Sequence, residues 1–131
     1  MRLSKKKTLT SKLLFFAEET EGFFGSKNIC GFYGFNGPDY AGHPFIVFTI
    51  YKCFRAQCLF DETLCSRADN FSLGVYLSDK PTSLRLLLLE DSAVDLPQSF
   101  TRRSLRKNFK ALDWYLRWRM TDEQKKEFGF I

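Results

Sequence analysis

Residues 101–120 read TRRSLRKNFKALDWYLRWRM and contain neither glycine nor proline, so no residue in them interrupts a helix. Five large apolar residues in this segment recur at intervals of four, three, four and four: Leu105, Phe109, Leu112, Leu116 and Met120. A helix turns by about 100° per residue, so this spacing places all five on one side. We therefore predict a long helix whose apolar stripe packs against the remainder of the chain.

The opposite side of this predicted helix carries cationic and indole side chains. Seven residues project away from the apolar stripe: Arg103, Arg106, Lys107, Lys110, Trp114, Arg117 and Trp118. Nucleic-acid binding uses this mixture, because cations neutralise phosphates with release of counterions while aromatic ring faces stack on unpaired bases. Trp114 and Trp118 are four residues apart and would form one continuous aromatic strip.

Two other interpretations of the same residues stay open at this stage. Trp114 and Trp118 could be packed beneath other elements while the neighbouring Lys and Arg stems extend to water. A protein interface is the second, because Trp and Arg are favoured at its energetic hot spots. The packed interpretation requires both indole rings to be buried, whereas nucleic-acid binding and a protein interface both require them to be exposed.

The first third of the chain predicts one helix and a glycine-rich region. Residues 10–20 favour a helix capped by Thr10 or Ser11, although the run 13–16 also suits a buried strand. Six of the eight glycines lie between residues 22 and 42, interleaved with aromatic residues. Because glycine allows tight turns, we expect loops there around one short strand, Ile29–Phe35.

The middle of the chain predicts further strands. Residues 45–54 are β-branched and aromatic on both faces, as in a central strand covered on both sides. Residues 71–77 alternate between apolar and smaller or polar residues, then lead through a turn at 78–83 into the apolar run 84–89. This pattern indicates an antiparallel hairpin. Asp61 is expected to cap a short helical turn that ends at Cys65.

These elements predict one α+β domain over residues 1–131, in which a mostly antiparallel sheet of about four strands packs against the long C-terminal helix. A second short helix is expected after it, since Thr121 and Gln124 have the spacing of a capping box and Gly129 can end that helix. The 131 residues, 44% of them hydrophobic, suffice for one core. Fifteen Phe predict that this core is built from large rings.

Charge is distributed unevenly along the chain. Residues 1–12, 13–98 and 99–131 carry formal net charges of +5, −5 and +5, which give the total of +5. This segregation favours an anionic partner or an acidic protein surface, although the basic ends could instead pair with the acidic middle. No apolar run approaches the roughly 18 residues of a membrane span, and the run 13–17 is too short for a secretory signal. We expect a cytoplasmic protein with no membrane partner.

Candidate catalytic and metal-binding residues are few. Cys30, Cys53, Cys58 and Cys65 form no C-x-x-C pair and are expected to be free thiols. A zinc site built from the last three of these with His43, the only histidine, has suitable ligand types but lacks the spacing of paired ligands. Neither a phosphate-binding loop nor a dinucleotide-binding motif occurs. We therefore predict no metal, no cofactor and no catalytic site.

The sequence as a whole predicts a small, basic, non-catalytic binding protein. Its expected partner is nucleic acid or a nucleoprotein assembly, engaged through the helix side that carries Trp114 and Trp118. The alternative is a protein-binding inhibitor, immunity or antitoxin-like protein that places the same residues against an acidic protein surface. An enzyme that acts on nucleic acid is the third alternative.

Overall fold

The computed structural model describes residues 9–35, 44–61, 70–88 and 96–131. A single turn of 3-10 helix (Ser26–Asn28) precedes the first strand. The helices and strands follow one another in this order: α1 (Leu9–Phe24), β1 (Ile29–Phe35), β2 (Phe45–Ile50), β3 (Phe54–Asp61), β4 (Asn70–Tyr76), β5 (Pro81–Ser83), α2 (Leu84–Leu87), α3 (Arg102–Arg119) and α4 (Asp122–Glu127).

The five strands form one antiparallel sheet in which each strand pairs with the next along the chain, in the order β1-β2-β3-β4-β5. Strands that are neighbours both in the sheet and along the chain need no crossover helix between them. The helices can therefore pack against the sheet instead of connecting its strands. The predicted α+β class is confirmed, with five strands rather than about four.

One strand predicted over residues 45–54 is two strands joined by a tight turn. Tyr51 and Lys52 adopt positive φ angles of 53° and 62°, and the amide of Cys53 donates to the carbonyl of Ile50. Positive φ is unusual for residues other than glycine and asparagine. The turn therefore carries no local sequence signal, and tertiary contacts of Tyr51 hold it in place.

The prediction of a hairpin is wrong about its second strand, which was expected over the apolar run 84–89. The strand that pairs with β4 is the three-residue β5, and the leucines after it begin the short helix α2. A continuous apolar run has no periodicity that separates a strand from a buried helical turn. The helical turn predicted from Asp61 to Cys65 lies outside the described residues beyond position 61, where β3 ends.

The core lies between the sheet and the two longer helices. Alternate residues of β2, β3 and β4 are at most 2% exposed and belong to one hydrophobic cluster: Ile46, Phe48, Ile50, Ala56, Cys58, Phe60, Phe71, Leu73 and Val75. β4 has the period-two burial of a strand with one core face, whereas β2 is buried on both faces, since Phe45 and Val47 are buried too. The pattern in β4 confirms the alternation predicted for residues 71–77 as far as Val75, whereas Leu77 lies beyond the end of β4 and is 48% exposed.

Phenylalanine rings join α1, α3 and the sheet. The ring of Phe16 in α1 contacts Phe48 of β2 and Phe109 of α3 edge-on, with centroids 4.9 and 5.7 Å apart. The side chain of Glu19 on α1 is buried and accepts a hydrogen bond from the guanidinium of Arg102 at the start of α3. These contacts fix α3 in both position and rotation.

Capping side chains define the ends of the C-terminal helices. Thr101 Oγ1 accepts from the Ser104 amide at 3.2 Å at the start of α3. The predicted capping box of Thr121 and Gln124 is present at the start of α4, with both reciprocal hydrogen bonds formed. Gly129, with φ of 78°, follows the last turn as predicted.

Candidate binding face of helix α3

Helix α3 turns its apolar stripe into the core. Leu105, Phe109, Leu112 and Leu116 are fully buried, and Met120 just beyond the helix is buried with them. The helix phase predicted from the sequence is therefore confirmed. With one side committed to the core, the solvent side is fixed as well.

Every exposed residue of α3 is an arginine, a lysine or a tryptophan. The exposed residues are Arg102, Arg103, Arg106, Lys107, Lys110, Trp114, Arg117, Trp118 and Arg119. At about 100° per residue, seven of them cover one continuous arc of roughly 120° and are the residues singled out from the sequence. We call this arc the basic-aromatic face: Arg103, Arg106, Lys107, Lys110, Trp114, Arg117 and Trp118.

The two indole rings are on the surface. Trp114 is 57% exposed and Trp118 is 71% exposed, whereas Tyr115 between them is buried, with only 7% of its surface exposed. The ring of Trp118 leans on Tyr115, with centroids 6.3 Å apart and an angle of 34° between the planes. As far as the described residues are concerned, these exposures argue against the interpretation in which both tryptophans are packed beneath other elements.

Asp113, the only acidic residue in α3, is engaged at both carboxylate oxygens. The hydroxyl of Tyr51 donates to Oδ1 at 2.5 Å, and Nε of Arg117 lies 2.9 Å from Oδ2. Burial of Tyr51 raises the pKa of the phenol above its ordinary value of 10.0, and the hydrogen bond to Asp113 raises this pKa further by a smaller amount. The phenol therefore stays a donor at neutral pH.

The cations of the helix differ in whether they have an acidic partner. Arg102 pairs with Glu19, and Arg117 pairs with Asp113 while its guanidinium lies 3.7 Å from the ring centroid of Phe130. Among the described residues, no carboxylate lies within 4.0 Å of Arg103 or of Lys110. At these two positions of the basic-aromatic face, the described part of the chain supplies no carboxylate to neutralise the positive charge.

The thiols present no arrangement for metal binding in the described part of the chain. Cys30 and Cys53 are exposed, and Cys58 is fully buried in the core, where burial raises its pKa well above the ordinary value. No three His, Cys, Asp or Glu side chains of the described residues come close enough together to hold a metal ion. His43 and Cys65, two of the ligands considered for zinc, lie outside the described residues.

Sequence reasoning missed the residues that surround Arg117. Its pairing with Asp113 is visible as an i,i+4 spacing, but Tyr51 is 62 positions from Asp113 and gives no local signal. Phe130 was likewise not singled out, although aromatic residues near a basic helix often stack on guanidinium groups.

Comparisons with known proteins give no family. No protein-family model matches the sequence, and neither a curated protein nor a solved structure matches the chain. Within the described ranges, no helix has the length and apolar character needed to cross a membrane.

Proposed function

We propose that this protein binds nucleic acid, without catalysis, through the basic-aromatic face of α3. The observation that carries the proposal is the composition of the exposed side of the helix, which consists of arginine, lysine and tryptophan alone. Nucleic acid offers both groups that such a face needs, a phosphate backbone for the cations and ring surfaces for the indoles.

The spacing of the cations points to an anionic ligand. Arg103, Arg106, Lys107 and Lys110 form four pairs that are three or four residues apart (103/106, 107/110, 103/107 and 106/110), so the charges of each pair are neighbours on the helix surface. Like charges at these spacings destabilise a helix by about 0.2 to 0.5 kcal/mol per pair. An ordinary solvated face mixes the two signs and avoids that cost. Bound phosphates would relieve it.

The tryptophans favour a ligand with accessible bases. Trp114 and Trp118 lie about 6 Å apart along the helix axis, given a rise of 1.5 Å per residue. Exposed aromatic rings stack on bases with about 1 to 3 kcal/mol per base, and every base has such a surface. Single-stranded nucleic acid, whose bases are unpaired, is therefore the ligand class that this face fits best.

Intrinsic fluorescence provides the direct experiment, because the chain has two tryptophans and both lie on the basic-aromatic face. Titration with a single-stranded oligonucleotide should quench their emission. Four phosphate contacts, made by the cations at positions 103, 106, 107 and 110, should give a log-log salt slope of about −3 for a single strand. Absence of binding at low salt would overturn the proposal.

The second candidate is a protein partner, as an inhibitor, immunity or antitoxin-like protein. Exposed tryptophan beside arginine is the composition of interface hot spots. A protein complex with a buried aromatic centre would depend on salt much less than nucleic-acid binding does. The same series of titrations therefore separates the two functions.

We assign this function to the cytoplasm. Two of the three cysteines among the described residues, Cys30 and Cys53, are exposed as free thiols, which a reducing compartment preserves. That state supports the location expected from the sequence.

A further inference from the structure

We infer that Asp113, held in place by Tyr51, withdraws Arg117 from the phosphate-binding set and so limits the affinity of the basic-aromatic face. This inference rests on the proposed function. It assigns Asp113 and Tyr51 a regulatory, positioning role beside the site, since neither belongs to the face itself.

The carboxylate of Asp113 is fixed between two donors. One turn of helix separates it from Arg117, whose Nε lies 2.9 Å from Oδ2, and the Tyr51 hydroxyl occupies Oδ1. The Asp113 side chain is 15% exposed, so water screens the pair less than it screens a pair on the open surface. The carboxylate occupies Nε of Arg117, whose side chain is 47% exposed, and its negative charge would repel a phosphate that approached the other N–H groups of the guanidinium.

The guanidinium of Arg117 is restrained on a second side. Its central carbon lies 3.7 Å from the ring centroid of Phe130, in a cation–π arrangement. Phe130 in turn contacts the ring of Tyr51, with centroids 5.4 Å apart. One of the faces through which a base or phosphate could reach Arg117 is therefore covered by the C-terminal segment.

Tyr51 is suited to hold Asp113 because it is itself immobilised. Only 3% of its surface is exposed, and its ring packs against the rings of Phe24 and Phe128, with centroids 5.9 and 5.1 Å away. Its backbone has a positive φ of 53°, a conformation that a tyrosine adopts only when its surroundings enforce it. The hydroxyl is thus presented to Asp113 from a fixed point on the β2–β3 turn.

The contrast with Arg106 defines the expected effect. Arg106 lies on the same face, and no described carboxylate is within 4.0 Å of it. It should therefore contribute one full phosphate contact, whereas Arg117 should contribute little while Asp113 is charged. Replacing Asp113 by asparagine keeps the acceptor for Tyr51 and removes the charge that holds Arg117.

The test compares oligonucleotide binding by wild type, Asp113→Asn, Arg117→Ala and the double variant. Asp113→Asn should steepen the salt slope by about 0.7 and tighten binding about fivefold at 0.1 M salt, because one more phosphate is neutralised. The double variant should return to the wild-type slope. Arg117→Ala alone should flatten the slope by less than half of what Arg106→Ala does.

Two failures are distinguishable in this experiment. If wild type binds no oligonucleotide at low salt, the proposed function falls and the inference falls with it. If wild type binds but Asp113→Asn leaves the slope unchanged, or Arg117→Ala flattens it as much as Arg106→Ala, the inference alone is overturned. Should Asp113→Asn not fold, as judged by circular dichroism, the comparison of the two arginine variants still decides the outcome.

Discussion

Leu112 and Trp114 are two positions apart on α3 and face opposite ways: Leu112 is fully buried, whereas Trp114 is 57% exposed. Two residues correspond to a rotation of about 200° on a helix. The same helix therefore supplies packing contacts to the core and a candidate binding face to solvent. Because the two sides share almost no residues, substitutions on one side should affect stability and substitutions on the other should affect binding.

The buried side of α3 should contribute far more to stability than its exposed side. Leu112→Ala should lower the free energy of unfolding by about 2 to 5 kcal/mol, as expected for deleting a buried leucine side chain. Lys110→Ala, on the exposed side, should change it by no more than about 0.5 kcal/mol. Denaturant unfolding monitored by circular dichroism measures both. Similar costs for the two variants would contradict the helix phase described above.

Alkaline pH should reduce the contribution of the contact between Tyr51 and Asp113 to the free energy of unfolding. At neutral pH, Tyr51→Phe should lower the free energy of unfolding by about 1 to 3 kcal/mol, because a hydrogen bond to a carboxylate is lost. The raised pKa of Tyr51 means that the unfolded chain loses this proton at a lower pH than the folded chain does. Above pH 10 the unfolded state binds fewer protons, so the stabilisation decreases as pH rises.

The measurement for this prediction is the difference in unfolding free energy between wild type and Tyr51→Phe from pH 7 to pH 11. The difference removes the titration of the other tyrosines and of the lysines, which both proteins share. It should be constant up to about pH 10 and then shrink. A difference that stays constant through pH 11 would show that the pKa of Tyr51 in the folded protein is not raised.

The cysteines should differ in reactivity according to their burial. The thiolate is the reactive form, and Cys58 is fully buried with its pKa well above the ordinary value, so alkylation of the native protein should spare it. Cys30 should react readily, and Cys53 should react more slowly than an ordinary exposed thiol, because burial and Glu127 raise its pKa. Mass spectrometry of the alkylated peptides gives the order.

The same samples test the prediction of reduced, metal-free cysteines. All four thiols of the sequence should titrate in the unfolded protein, and elemental analysis of the native protein should show no stoichiometric zinc. Fewer than four thiols, or one zinc per chain, would contradict it. Rapid native labelling of Cys58 would instead contradict its position in the core.

The parts of the fold that the sequence predicted are those with long, regular patterns. The four-three-four-four spacing from Leu105 to Met120 fixed both the existence and the phase of α3, and the alternation around Leu73 identified β4. The turn at Tyr51 and the helix that begins at Leu84 were missed, because an unbroken apolar run carries no period. In both places tertiary contacts decide the conformation.

The candidate site follows the same division. The exposed arc of α3 could be predicted because it is the complement of the apolar stripe. The contacts that hold the Asp113–Arg117 pair in place could not, because they come from a hydroxyl on the β2–β3 turn and a ring from beyond α4. Spacing along one helix gives the direction of a side chain, whereas its partners come from the whole fold.

Binding should separate the two kinds of residue on the basic-aromatic face. Trp114→Ala should weaken single-strand binding by about 1 to 3 kcal/mol through lost stacking, with little change in the salt slope. Arg106→Ala should flatten the salt slope by about 0.7, because one phosphate contact with the single strand is lost. The matched control is Arg119→Ala: Arg119 is an exposed arginine of the same helix but lies outside the arc, so its loss should leave the slope unchanged. Fluorescence anisotropy of a labelled oligonucleotide at several salt concentrations measures all three, since it does not require the tryptophans themselves. Equal effects of Arg106→Ala and Arg119→Ala would indicate attraction by net charge rather than binding at the face. A protein partner that wild type retains and Trp118→Ala loses, with no oligonucleotide binding at low salt, would instead establish the protein-binding function.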